Sequence, residues 1–104
     1  MKMDKLLKQA QRMQAQMALA QEELESTTVE GAAGGGAVKA LANGHGDITS
    51  ITISKEVVDP EDVEMLEDLV LGAVKDAISK AKALSESKMN ALTGGLGAGF
   101  PGFM

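Results

Sequence analysis

The chain reads as a single α+β domain with the element order α-β-β-β-α: two long helices flanking a three-stranded antiparallel meander. Three observations carry that reading. The first is an amphipathic stretch over residues 2–26, where Met3, Leu6, Ala10, Met13, Met17, Ala20 and Leu24 recur at alternating spacings of three and four. That is the stripe of a helix, held for three heptads. The second is the run Asp59-Pro60-Glu61-Asp62-Val63-Glu64, which has the chemistry of a helix start. Asp59 accepts from free N–H groups of a first turn, Pro60 loses nothing where no N–H partner exists, and the acids favour the positive end of the helix dipole. The third is the hairpin signal Asn43-Gly44 between β-prone segments.

The elements follow in order. Gln and Ala fill most of the remaining face of the first helix, and Ser26-Thr27-Thr28 ends it. Thr27 to Glu30 is short and β-prone, Gly31 to Gly36 reads as a glycine-rich connection, and Ala37 to Leu41 is a weak second strand. Ile48 to Ser54 is the clearest strand, with Ile51 and Ile53 on one face and Thr52 on the other. From residue 60 to about 92, Val63, Leu66, Val70, Ala73, Ala77, Ala81 and Leu84 keep helical spacing. At 1.5 Å per residue this helix is roughly 50 Å long, more than three strands can cover. Gly94-Gly95 is expected to stop it, leaving residues 96–104 as a flexible glycine-rich tail after a domain spanning 1–95.

Composition sets limits. With 104 residues and no cysteine, the chain excludes disulfide staples and thiolate metal sites. No stretch approaches the ~18 apolar residues of a membrane span, and no signal peptide precedes the first helix, so a cytoplasmic protein is expected. The hydrophobic fraction is 44%, much of it alanine, and the only aromatics are Phe100 and Phe103. So thin a core calls for a partner subunit. Leu66, Leu69, Val70, Ala73, Ile51 and Ile53 are the expected core or dimer residues.

The chemistry-bearing residues form no catalytic constellation. The glycine run lacks the Lys-Ser/Thr of a phosphate loop and precedes a strand, so a turn is the better reading. His45, flanked by Gly44 and Gly46, has Asp47 as its one close acidic neighbour, too few ligands for a metal. The acids at 59–68 lack calcium-loop spacing. No enzyme, metal, cofactor or small-molecule substrate is expected. One feature is anomalous. The net charge is −5, yet four of the ten basic residues, Lys2, Lys5, Lys8 and Arg12, lie in the first twelve positions. Lys5, Lys8 and Arg12 share a helix face at the positive end of the dipole, while Glu22, Glu23 and Glu25 crowd the negative end. A sequence tuned only for helix stability reverses both. An anionic partner explains this face; so does a merely solvated face or pairing with acidic residues of another chain.

Leu7-Lys8-Gln9-Ala10-Gln11-Arg12-Met13-Gln14, Val58-Asp59-Pro60-Glu61-Asp62-Val63-Glu64-Met65-Leu66-Glu67-Asp68-Leu69 and the closing Glu86-Ser87-Lys88-Met89-Asn90-Ala91-Leu92-Thr93-Gly94-Gly95-Leu96 together resemble the YbaB/EbfC family of bacterial nucleoid-associated proteins. The resemblance covers about residues 2–95. It implies a tweezer-like homodimer, located at the nucleoid, that binds double-stranded DNA and influences nucleoid organisation and gene expression. Carried over to this chain, the DNA-binding residues are Lys5, Lys8 and Arg12, with Lys2 in support. The alternative is an adaptor dimer whose partner is a DNA-maintenance protein engaged in recombination or repair.

Overall fold

The computed structural model describes the backbone of residues 2–99 and the side chains of residues 3–92. Helix α1 spans Lys2–Ser26, strands β1, β2 and β3 span Thr28–Ala33, Val38–Asn43 and Ile48–Ile53, and helix α2 spans Val63–Gly99. The sheet order is β1-β2-β3, antiparallel throughout. The expected α-β-β-β-α order and meander are therefore present.

The sheet has one covered face. Along β2 the buried Val38, Ala40 and Ala42 alternate with the more exposed Lys39, Leu41 and Asn43. Their partners under α2 are Ala73 and Ala77, and these five residues form the core. Leu66, Leu69, Val70 and Val74 pack around it, half-buried. Small side chains on both surfaces let the helix backbone come close to the sheet. The closest approach is at Gly31, at the centre of β1, where an added Cβ would lie 2.2 Å from the Ala77 nitrogen. Gly31 is thus a packing residue inside a strand, and the glycine-rich connection shrinks to the 3-10 turn Gly34–Gly36. The weak strand signal of Ala40-Leu41-Ala42 has the same cause: alanine there serves the helix above it.

Both ends of α2 differ from the sequence expectation. The helix starts at Val63, one turn after Pro60. The Asp59 carboxylate accepts from Glu61 N at 2.9 Å and the Asp59 carbonyl from Asp62 N at 2.9 Å, which closes a separate turn. Asp62 is the residue that caps α2, accepting from Met65 N at 3.3 Å. At the other end α2 continues through Gly94-Gly95 to Gly99. Glycine lowers helix propensity by about 1 kcal/mol against alanine but keeps its N–H, so it does not compel a stop. Phe100 and Phe103 lie outside the described residues.

The outer edge of β1 is closed by α2. Asp76 accepts from the backbone N–H of Ala32 at 3.0 Å, and Lys80 donates to the carbonyl of Glu30 at 3.0 Å. The two side chains pair with each other at 3.2 Å. They occupy alternate backbone groups that an edge strand would otherwise offer to another chain. The hydrogen bond from Ala32, with the Lys80 ammonium behind it, holds the Asp76 carboxyl below its ordinary value of 3.8. A carboxyl depressed in the folded state stabilises fully above its unfolded pKa and loses that contribution as pH falls through the folded value. Asp76→Asn is therefore expected to melt below the parent at neutral pH, with the gap narrowing as pH drops under about 3.8. Melting curves of both proteins across the acid range check this.

Candidate nucleic-acid interface

The α1 helix leaves the sheet as an arm. Its C-terminal end is fastened at three points. Leu24 is 1% exposed and packs against the β2–β3 hairpin, where a Cβ on Gly44 would stand 2.7 Å from Leu24 Cδ2. The Gly44 N–H donates to the Leu24 carbonyl at 2.7 Å. His45, exposed as expected of a turn residue, also donates from Nε2 to the Gln21 carbonyl at 3.0 Å. The Leu24 carbonyl lies in the last turn of α1, where the helix leaves acceptors open, and the Gln21 carbonyl lies one turn earlier. Asn43 stiffens the hairpin by accepting from His45 N and Asp47 N. On the opposite side Glu23 forms an ion pair with Lys88 of α2. One of the glutamates that oppose the helix dipole thus has an intrachain partner, a role that sequence spacing alone does not reveal.

Beyond this root most of the arm is exposed among the described residues. Of the heptad stripe only Ala20 and Leu24 are buried and Met13 half-buried; Met3, Leu6, Ala10 and Met17 are exposed. The molecule measures 73 × 27 × 16 Å. Its radius of gyration is 19.9 Å, against the roughly 13 Å of a compact chain this long.

Lys5, Lys8 and Arg12 stand on this segment. All three are exposed, and none has an ion pair or hydrogen bond among the described residues. Lys5 and Arg12 are about 10.5 Å apart along the axis. The side chain of Lys2 lies outside the described residues. Three other lysines are neutralised within the chain: Lys39 by Glu30, Lys80 by Asp76 and Lys88 by Glu23. The α1 cations are left without ion pairs as a group, while Lys55, Lys75 and Lys82 are left so singly.

The structure places the six expected core or dimer residues in two settings. Ala73 is fully buried and Leu66, Leu69 and Val70 pack around the core. Ile51 and Ile53 are 44% and 39% exposed. They sit opposite Ala40 and Val38 in the β2–β3 register, hence on the helix side of the sheet. But β3 lies outside the strip that α2 covers, so neither belongs to the chain's own core. Among the described residues there is no cluster of metal-ligating side chains, and no helix is long and apolar enough to cross a membrane.

The sequence profile of the YbaB/EbfC DNA-binding family matches residues 1–96. The chain belongs to that family. A nucleoid-associated protein of Chloroflexus aurantiacus is 59% identical over 91 residues, covering 88% of this chain and 91% of the relative. A nucleoid-associated protein of Ruminiclostridium cellulolyticum is 54% identical over 100 residues, covering 96% and 86%. The crystal structure of an uncharacterized Helicobacter pylori protein shares the fold with a TM-score of 0.71 at 24% identity, over 92% of this chain and 98% of that one. Membership of the YbaB/EbfC family bears out the expected resemblance. The expected class, a nucleoid-associated DNA-binding protein and not an enzyme, agrees with the family's description.

Proposed function

We propose that the chain acts as a homodimer that binds duplex DNA with little sequence preference, through phosphate contacts from Lys5, Lys8 and Arg12, with Lys2 in support. The observation that carries this reading is the free basic face: three exposed cations within two helical turns, with no ion pair among the described residues. Phosphate is the anion that a row of flexible, fully hydrated cations can meet without base-specific geometry. The homodimer rests on the thin alanine core and on large apolar side chains left in solvent, including Leu71 at 53% and Met3 at 72% exposure.

Mobility-shift titrations at two salt concentrations test the reading. A dimer contacting about six phosphates gives a log–log salt slope near −5. A second reading, the adaptor dimer with a DNA-maintenance protein as partner, draws on Leu6 and Leu7, 61% and 59% exposed on the side of α1 away from the basic face. Absence of DNA binding at ~50 mM salt decides for it, since counterion release is strongest there.

A further inference from the structure

Charge along the exposed face of α2 reverses sign about a single leucine. Glu64, Glu67, Leu71, Lys75, Ile78 and Lys82 lie within a wedge of about 80° at 100° per residue. All six are exposed. Glu67, Leu71 and Lys75 are four residues apart and form one row, and Leu71 borders an apolar cleft of about 440 Å³ shared with Leu66, Val70 and Val74. None of Glu64, Glu67, Lys75 and Lys82 has an ion pair among the described residues, although three other lysines of the chain do. A face that is negative before its centre, apolar at the centre and positive after it is complementary to itself when turned end for end.

We infer that this stripe is the surface on which a second copy of the chain docks, with the two α2 helices antiparallel across a two-fold axis through Leu71. The occupant is fixed by the pattern. A two-fold contact sets residue 71 + n of one helix against 71 − n of the other. Leu71 then meets Leu71 of the second copy, Glu67 faces Lys75, and Lys75 faces Glu67, so the ion pair is made twice. Ile78 maps onto Glu64, and Lys82 maps onto position 60, just ahead of the opposite helix and next to the acids at 61 and 62. Glu86, the next charge along α2, maps onto position 56, in the turn at 55–57, and takes no part in the helix pairing. The central leucines and the cleft supply apolar burial, and the flanking charges fix register and direction. The inference rests on the homodimer reading above and adds to it where the contact lies.

A charge-swap experiment tests it by sedimentation equilibrium, which reads mass independently of shape. Glu67→Lys and Lys75→Glu, alone, each set like charges opposite one another twice. Each is expected to raise the dimer dissociation constant about tenfold at low salt. The decisive sample is their equimolar mixture. There each chain offers the charge that the other lacks, so the mixture is expected to dimerise within about threefold of the parent, as is the double variant. Co-refolding the two variants keeps the test open where one alone fails to fold. The inference is overturned if the single variants dimerise like the parent, or if the mixture associates no better than either component. It is also overturned if Lys75→Glu leaves the dimer intact while weakening DNA binding, which makes Lys75 a phosphate contact. A parent that is a folded monomer at micromolar concentration removes the homodimer reading itself, and the stripe with it.

Discussion

Replacing Gly31 with alanine is expected to separate α2 from the sheet. The added Cβ would stand 2.2 Å from Ala77 N, 2.4 Å from Ala73 O and 2.7 Å from Ala77 Cα. All three are backbone atoms of a helix, so no side chain can rotate away to make room. Either β1 sinks or α2 lifts, and lifting α2 uncovers Val38, Ala40, Ala42, Ala73 and Ala77 together, which is the whole core cluster. Overpacking typically costs about 1–3 kcal/mol, and more where the backbone must move. A loss above ~3 kcal/mol is expected here, large against the 5–15 kcal/mol of a typical domain. In melting temperature that is a drop of about 12–24 °C, at 4–8 °C per kcal/mol. Gly35→Ala is the control. Gly35 has φ +70° but nothing within 4 Å of its added Cβ, so only the left-handed backbone is strained, at roughly 1–2 kcal/mol. Thermal unfolding of the two variants side by side checks the ranking. A Gly31→Ala protein as stable as Gly35→Ala contradicts the close approach.

The second large effect is expected in DNA binding with no loss of stability. Changing Lys5, Lys8 and Arg12 together to glutamine keeps three good helix formers on α1 and removes cations from the positive end of its dipole. The three side chains contact no partner among the described residues, so nothing is unpaired by their loss. The variant is expected to melt no lower than the parent. In a dimer it loses about six phosphate contacts, and the log–log salt slope flattens by about five. Each such contact weakens all sequences alike, so the loss is expected to be similar for unrelated duplexes. Parallel titrations of parent and variant on two such duplexes check this. If the variant binds like the parent, the DNA contact lies elsewhere on the chain.

Helix α1, strand β3, the Asn43 hairpin and the body of α2 were legible because each follows from a local rule: period, propensity or turn chemistry. What local rules missed was set by the contact between α2 and the sheet. Gly31 reads as loop in a sequence window that also holds Gly34, Gly35 and Gly36; only the helix above it distinguishes it from them. The start of α2 was displaced by one turn because Asp59 and Asp62 are both competent caps, and Pro60 fits the first position after Asp59 but also the turn that Asp59 closes. Ile51 and Ile53 alternate as core residues should, yet whether a strand is covered depends on where the helix crosses the sheet. The basic face was visible from spacing. Its freedom from intrachain carboxylates was not, since that depends on where the other lysines find theirs. The self-complementary stripe on α2 was likewise divided in the sequence between a capping signal and a helical face.

The root of α1 gives the arm a mechanical property. The last fully buried position is Ala20, and Lys5 lies fifteen residues beyond it, a cantilever of about 22 Å. A tilt of 10° at the hairpin clamp swings the far end by about 4 Å, while the hydrogen bonds at Leu24 and Gln21 shift by only fractions of an ångström. Under the proposed DNA-binding reading the cations ride on this lever and follow phosphate spacings that vary with groove width and bend. On that reading, compliance of this kind relaxes shape selectivity at little energetic cost, and tolerance of varied duplexes resides in the mounting of the arm as well as in the chemistry of its tip.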